Sequence, residues 1–237
     1  MWKNKKQALD GLCEKYSVAK GEFVEKDGKC FVRNTSDGKM TELLPWRVER
    51  RFIELQKIIT DGTLEGLSTF RFARISHEDN LTDQLKKELD LALWLSKRNM
   101  ISLFAVCGGE GTANVIVKLD GGLNVSIECS TQLPAGQEVI DRHEIIASRG
   151  VASDRVVDTQ IPQASVYLYN NRGEQRYTDT DEELFGLSDN EILQVRAAFA
   201  VLNHPELSEE WNQASALADR AAEMVRISDR DKKVIMF

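Results

Sequence analysis

The sequence is poor in histidine, proline and cysteine, and it contains no long apolar run. Three histidines and four prolines occur among 237 residues, and no stretch reaches the roughly 18 apolar residues that a membrane-spanning helix needs. Residues 1–16 are amphipathic and carry charges of both signs, so they lack the apolar centre of a signal peptide. We therefore expect a cytoplasmic protein that neither spans a membrane nor is exported.

The four cysteines, Cys13, Cys30, Cys107 and Cys129, are widely separated. None belongs to a C-x-x-C pair, and no histidine follows at zinc-finger spacing, so the pattern predicts no metal site. Their neighbours are apolar, as in "GKCFV" and "FAVCG", which indicates half-buried reduced thiols rather than disulfides.

The composition is that of an ordinary globular protein, with 42% apolar and 29% charged residues. A chain of 237 residues is long enough for one large domain, alone or with a small appendage. Its formal net charge of -7 argues against nucleic-acid binding, because a protein that holds phosphate normally presents a basic face.

The start of the chain predicts a helix followed by a hairpin. A helix fits residues 3–16, and two strand-like runs within residues 21–34 are separated by Asp27-Gly28, a pair that tolerates positive φ at both turn positions. A proline just before the next helical pattern marks a boundary. We predict a small segment of residues 1–45 and a larger domain of residues 46–237.

The larger domain combines helices near both ends with strands in the middle. Apolar residues at period two predict the strands, and their alternation on both sides of Gly121-Gly122 predicts a hairpin. Ser188 and Glu191 form a capping-box pattern at a helix start. We predict an α+β domain in which helices cover one face of a largely antiparallel sheet. The helices are residues 47–60, 81–95, 188–202 and 211–227, and the strands lie in residues 66–76, 101–107, 112–132, 141–147, 151–157, 165–169 and 232–237.

The second strand of the hairpin predicts a polar outer face for this sheet. Asn124, Ser126, Glu128 and Ser130 alternate with apolar residues, so all four side chains should point away from the core. Such a face can meet water, a ligand or another subunit.

Five segments of the larger domain occur in an order that matches a known family. They are "RRFIELQKIITDGTLEGLSTFRFAR", "DQLKKELDLALWLSKRNMISLFAV", "GTANVIVKLDGGLNVSIECSTQLPAG", "HEIIASRGV" and "ASALADRAAEMVRISDRDKKVIM". In this order they resemble the carboxyl-terminal domain of the glucose-fructose oxidoreductase, inositol dehydrogenase and rhizopine-catabolism (Gfo/Idh/MocA) dehydrogenases. The resemblance covers about Arg47 to Met236 and implies a dehydrogenase C-terminal-domain-like fold.

The nucleotide-binding half of that family has no counterpart in this sequence. The family begins with a Rossmann domain, whose G-x-G-x-x-G turn brings backbone amides to the dinucleotide pyrophosphate. No G-x-G-x-x-G occurs here, the glycine cluster "CGGEGT" at residues 107–112 lies between two strand-like segments, and the family's Glu-Lys-Pro motif is missing. We expect no cofactor-binding residue, and NAD or NADP only if another chain supplies the nucleotide domain.

The resemblance also points to one face of the helix at residues 81–95. The family helix carries Asp, then His four residues later, then Asp three further on, and Asp83, Lys87 and Asp90 stand at these positions. Histidine exchanges a proton near neutral pH, whereas lysine is ordinarily a fixed cation. The face is either a lysine-based catalytic site or the relic of one. We favour a relic in which Asp83 and Lys87 form an exposed i,i+4 ion pair, and we predict no catalytic residue.

The remaining residues with chemical potential have structural explanations. His77 fits a loop-capping role, His143 fits a strand, and His204 precedes a proline at a helix end. The segment "TDTDEE", residues 178–183, lacks the glycine and final glutamate of a calcium loop and fits an acidic turn. The tryptophans fit core or interface anchors better than sugar-stacking platforms; they are Trp2, Trp46, Trp94 and Trp211.

Two functions of different classes remain open. The first is a non-catalytic, Rossmann-less relative of the family that self-associates or binds a small polar, sugar-like ligand. The second is a component of an oxidoreductase acting on a sugar or cyclitol, whose NAD(P)-binding domain comes from another chain or from a part missing here. We favour the first and expect a homo-oligomer through the open sheet face, with Ser126 at the seam.

Overall fold

The computed structural model describes residues 4–77, 80–109, 111–154, 165–170, 173–178 and 187–237. In chain order the elements are α1 (Lys5–Tyr16), β1 (Gly21–Lys26), β2 (Lys29–Asn34), β3 (Met40–Glu42), a 3-10 turn (Pro45–Val48), α2 (Arg50–Thr60), β4 (Leu67–Ile75), α3 (Leu81–Ser96), β5 (Met100–Cys107), β6 (Thr112–Leu119), a 3-10 turn (Asp120–Gly122), β7 (Asn124–Ser130), β8 (Ile140–Ala147), β9 (Gly150–Ser153), β10 (Ser165–Asn170), β11 (Gly173–Thr178), α4 (Asp189–Asn203), α5 (Leu207–Asp231) and β12 (Ile235–Met236). None of these helices has the length and apolar character needed to cross a bilayer.

The chain divides into two compact units. The first unit is Met1–Glu49 with Val156–Gln213, and the second is Arg50–Arg155 with Ala214–Phe237. The domain boundary at residues 45 and 46 stays a prediction.

The first unit holds α1, α4, a three-stranded sheet in the order β1-β2-β3 and the separate hairpin β10-β11. Asp27 and Gly28 have φ angles of 52° and 76°, the left-handed pair that joins β1 to β2 as predicted. Helix α4 begins with the predicted capping box, in which Ser188 and Glu191 each satisfy a backbone amide of the other. Local sequence signals therefore determined the ends of these elements.

The second unit is built on a seven-stranded sheet in the order β12-β5-β6-β7-β4-β8-β9. All neighbouring strands are antiparallel except β4 and β7, which run parallel. A parallel pair needs a crossover connection, and here α3 and the β5-β6 hairpin lie between β4 and β7 along the chain. The predicted α+β class with a largely antiparallel sheet is confirmed.

One face of this sheet forms the core of the second unit. Helix α3 packs against β4 and β7 on that face and contributes the buried side chains of Leu85 and Leu89. Each large apolar side chain buried there contributes about 1.5–3 kcal/mol. If a strand slipped by one residue in its pairing, all of its core-facing side chains would turn to the opposite face. The alternation of apolar residues therefore fixes the register of the strands. The predicted inward residues of the hairpin are fully buried: Val115, Val117, Leu119, Leu123, Val125 and Ile127.

The opposite face presents the predicted polar row together with an apolar patch. Asn124 and Glu128 are exposed, and Ser126 is partly exposed, as the alternation on β7 predicted. Phe104 of β5 stands opposite Ile116 of β6, which stands opposite Ser126. Phe104 and Ile116 are 37% and 51% exposed, so this face carries accessible apolar surface beside its polar row.

Candidate functional site

A buried histidine lies at the centre of a charged cluster in the second unit. His143 of β8 is 0% exposed, and its ring is edge-on to Phe52 and Phe72, with centroids 4.7 and 4.8 Å away. Both ring nitrogens meet carboxylates: Nε2 lies 2.8 Å from Glu88 Oε2, and Nδ1 lies 2.7 Å from Asp154 Oδ2. The strand position predicted for His143 is confirmed, but the sequence did not predict these partners.

The fold explains why these groups converge. Alternate residues of a strand share a face, so Asp141 and His143 both lie on the core side of β8. The packing of α3 on the same face of the sheet brings Glu88 to the imidazole. Asp154 follows β9, and its Oδ1 accepts a 2.7 Å hydrogen bond from the backbone amide of His143. The site therefore draws on a helix, a strand and the end of the edge hairpin.

Asp141 gathers three cations on one oxygen. Its Oδ2 lies 2.6 Å from a guanidinium nitrogen of Arg51, 2.7 Å from one of Arg74 and 2.9 Å from Lys87 Nζ. Burial opposes ionisation of this carboxyl, but these cations and the His143 imidazolium outweigh it and hold the pKa of Asp141 well below its ordinary value. Asp141 therefore stays ionised at neutral pH.

His143 is held in its charged form. Burial alone lowers the pKa of an imidazole, but the charge of Glu88 and the hydrogen bonds with Asp154 and Glu88 raise the pKa of His143 from 6.5 to about 9. At neutral pH the ring is an imidazolium that donates from both nitrogens to carboxylates.

The three residues at the positions that the resemblance indicates have different surroundings. Asp83 is exposed, and its backbone amide donates to Asn80 Oδ1 at 2.9 Å, whereas Asp90 is buried. The side chain of Lys87 is only 12% exposed and pairs with Asp141. The expected exposed Asp83–Lys87 ion pair is wrong, because the lysine turns inward to a buried carboxylate. The description of this face as a catalytic relic stays a prediction.

Most other candidates have the structural positions that the sequence indicated. His77 is exposed shortly before α3, and His204 ends α4. Trp211 is buried, which fits a core anchor. Trp46 and Trp94 are partly exposed, while Trp2 and residues 179–183 lie outside the described residues.

The cysteines lie in four different elements. Cys13 and Cys129 are buried, and Cys30 and Cys107 are partly exposed. Burial raises the pKa of all four thiols, so they stay protonated at neutral pH. Cys30 and Cys107 agree with the half-buried thiols predicted from apolar neighbours, whereas Cys13 and Cys129 are more deeply buried than predicted.

Among the residues that the structure describes, the central side chains of this cluster have little or no solvent exposure. Glu88 and His143 are 0% exposed, and the Asp141 side chain is 10% exposed. A general base must come within hydrogen-bond reach of the proton that it takes from its substrate. Both His143 nitrogens already face carboxylates, so neither is free in this arrangement to take a proton from another molecule.

The fold is similar to that of inositol dehydrogenases of known structure. The chain aligns with myo-inositol 2-dehydrogenase from Lactobacillus plantarum (TM-score 0.58, 15% identity, 82% of this chain). It also aligns with myo-inositol dehydrogenase from Corynebacterium glutamicum (0.59, 13%, 82%) and with scyllo-inositol dehydrogenase from Lactobacillus casei bound to NAD(H) and scyllo-inositol (0.56, 14%, 81%). No family model and no curated protein sequence matches the chain.

The likeness to these enzymes is partial in two respects. The chain spans 63% of the length of each of the three proteins. The identities of 13–15% are low enough that the likeness shows the fold alone. It supports the fold that the resemblance implied, but it does not show an activity for this chain.

We expect the stability of the protein to fall as pH rises through the range in which His143 loses its proton. Because the folded pKa of about 9 lies above the ordinary value of 6.5, this stabilisation is complete below about pH 6.5 and is lost above about pH 9. The loss should reach about 3 kcal/mol. Urea unfolding in metal-free buffer between pH 6 and 10 measures it. His204→Gln, which removes an exposed histidine, should leave the pH dependence of the unfolding free energy unchanged. If the unfolding free energy of the wild type does not change between pH 7 and 9, His143 is not an imidazolium.

Lys87→Ala should destabilise the protein by roughly 1–2 kcal/mol, because it removes one of three cations from a buried carboxylate but leaves two arginines in place. Lys57→Ala is the matched control, since its partner is Glu54 and both side chains are more than half exposed. Its cost should stay below about 0.5 kcal/mol. Urea unfolding of both variants at pH 7 decides the matter, and equal losses would show that the Lys87 pair is no stronger than a surface pair.

Proposed function

We propose that this chain is a non-catalytic relative of the Gfo/Idh/MocA oxidoreductases whose sheet domain mediates self-association. The observation that carries the proposal is the outer sheet face, where Phe104, Val106 and Ile116 are 37%, 50% and 51% exposed on two neighbouring strands. Contiguous exposed apolar side chains with polar neighbours are typical of protein–protein interfaces.

The polar part of this face favours a second copy of the chain over a charged partner. Its outward side chains include three basic residues, Arg71, Lys118 and Arg142, and two acidic residues, Glu128 and Glu144. The face is therefore close to neutral on a chain whose net charge is -7. Two copies can meet there without bringing their excess negative charge together, and opposite charges remain available for pairing across a two-fold axis.

Small side chains in the centre of the face allow two sheets to approach. Ser126 lies between Ile116 of β6 and Arg71 of β4, and Ala73 stands beside Glu128. Arg71 already pairs with Glu144 at 3.2 Å, which holds its long side chain to one side. A bulky charged residue at Ser126 would stand directly between the two sheets.

A sugar-like ligand has less support than self-association, because neither a small pocket in the first unit nor the buried His143 cluster offers room for it. The pocket lined by Val32, Lys39, Thr41 and Ser208 in the first unit has a volume of about 10 Å³, which is room for about one water molecule. In the His143 cluster, His143 and Glu88 are fully buried and the Asp141 side chain is only 10% exposed. Self-association is therefore the better supported part of the proposal.

We expect the purified chain to behave in light scattering at micromolar concentration as at least twice its mass of 26.8 kDa. Ser126→Arg and Ile116→Lys should each shift the protein towards the monomer, because each places an unpaired charge in the seam. Leu217→Lys is the control: it also replaces a residue that is 40% exposed, but one that lies on α5. A monomeric wild type, or an oligomer that both sheet-face variants leave intact, would refute this interface.

The second function, an oxidoreductase component that acts on a sugar or cyclitol, draws on the likeness to inositol dehydrogenases, one of which is bound to NAD(H) and scyllo-inositol. Under our proposal the chain alone binds neither NAD nor NADP, because it has no glycine-rich phosphate turn. Calorimetry with both dinucleotides measures this. A micromolar dissociation constant, or inositol oxidation when a separate nucleotide-binding chain is added, would favour the oxidoreductase.

A further inference from the structure

We infer that Glu88, Asp141 and His143 form a binding site for one divalent first-row transition-metal ion, with zinc as the best fit. One potential ligand atom from each residue lies within 4.8 Å of the other two. The distance from His143 Nε2 is 2.8 Å to Glu88 Oε2 and 3.7 Å to Asp141 Oδ1. Small movements would bring all three atoms to the 2.0–2.2 Å metal–ligand distances of zinc sites, about which ligands are roughly 3–3.5 Å apart.

Two buried carboxylate oxygens of this cluster are available to bind a cation. Glu88 Oε1 and Asp141 Oδ1 have no hydrogen-bond partner in the part of the chain that the structure describes. The Glu88 side chain is fully buried, and that of Asp141 is nine-tenths buried. An unsatisfied buried carboxylate oxygen costs free energy comparable to its desolvation. Because Asp141 Oδ1 is also the oxygen that faces His143 Nε2, a cation at this point would satisfy both the orphaned atom and the ring.

The outer contacts are those that a metal-binding histidine uses. His143 Nδ1 donates to Asp154, whose other oxygen accepts the His143 backbone amide. A carboxylate in this position fixes the tautomer and the ring orientation, so that Nε2 points at the ion. Asp154 is a positioning residue here, and it contacts no ion itself.

The donor set selects the class of ion and the role of the site. One imidazole and two carboxylates suit zinc, cobalt and manganese, whereas magnesium and calcium prefer oxygen alone. If Glu88 binds through both oxygens, the protein supplies four donors, which is the closed coordination of a structural zinc site. The near absence of solvent exposure leaves no position for a substrate, so the ion would stabilise the second unit and would not catalyse a reaction.

The main competitor for this site is the proton. Binding of the ion displaces the proton that His143 Nε2 donates to Glu88, and the cations on Asp141 Oδ2 oppose a further positive charge nearby. The three carboxylates of Glu88, Asp141 and Asp154 compensate in part. Zinc, which binds such mixed donors more tightly than manganese does, is therefore the probe of choice.

The test uses the full chain, purified without a histidine tag and treated with a chelator. We expect calorimetry to show one zinc ion per chain, weaker binding of manganese and no binding of magnesium, and we expect zinc to raise the thermal unfolding midpoint. In 15N spectra of the histidine rings, zinc should shift the Nε2 signal of His143 but not the signals of His77 and His204. His77→Gln and His204→Gln assign the signals, and both variants should keep full affinity because these residues are exposed.

Variants of the site complete the experiment. Asp141→Asn and Asp154→Asn should each weaken zinc binding roughly tenfold or more, the usual effect of losing a ligand or its outer partner. Circular dichroism checks that both variants fold. If a variant does not fold, the histidine ring spectra of the wild type still locate the ion. The inference is overturned if zinc fails to bind, or if bound zinc shifts His77 or His204 and leaves His143 unchanged. In that case the cluster is an ion-pair network closed by a proton alone.

Discussion

The hydrogen-bonded imidazolium of His143 is the interaction on which the second unit depends. Taking a charge out of water costs several kcal/mol, and the cost is recovered only when every partner is in place. Glu88 and Asp154 supply those partners at 2.8 and 2.7 Å from the two ring nitrogens. These hydrogen bonds therefore require one arrangement of helix α3, strand β8 and the end of the β8-β9 hairpin. Apolar packing alone would tolerate other arrangements of the same elements.

Lys87 connects this centre to the surface of the unit. The resemblance implies a histidine at this position of the helix, and this chain carries a lysine there. Its ammonium joins two guanidinium groups at Asp141 Oδ2, and it also lies 5.4 Å from the centroid of the Phe52 ring. Lys87 therefore neutralises a buried carboxylate instead of pairing with Asp83 on the surface of the helix.

The sequence predicted the elements much better than the site. Alternation at period two located the β6-β7 hairpin and its buried residues, and the Asp27-Gly28 pair located a turn, because these signals lie within a few residues of one another. Glu88 and His143 are 55 residues apart, and no local pattern records that α3 will bring them together. The inward turn of Lys87 was missed for the same reason, since i,i+4 spacing on an isolated helix favours Asp83 as its partner.

The parallel pairing of β4 and β7 sets an order on how the molecule can be assembled during synthesis. Strand β4 is flanked by β7 and β8, and both lie later in the chain. A newly made β4 therefore has no sheet neighbour until β7 (Asn124–Ser130) has left the ribosome, and its second edge stays open until β8 (Ile140–Ala147) follows. During this interval Phe70 and Phe72, fully or almost fully buried in the finished protein, depend for cover on earlier segments such as α3, which packs on β4 in the finished fold. Strand β4 thus lies inside the sheet, yet both of its edges are paired only after β8 has been made.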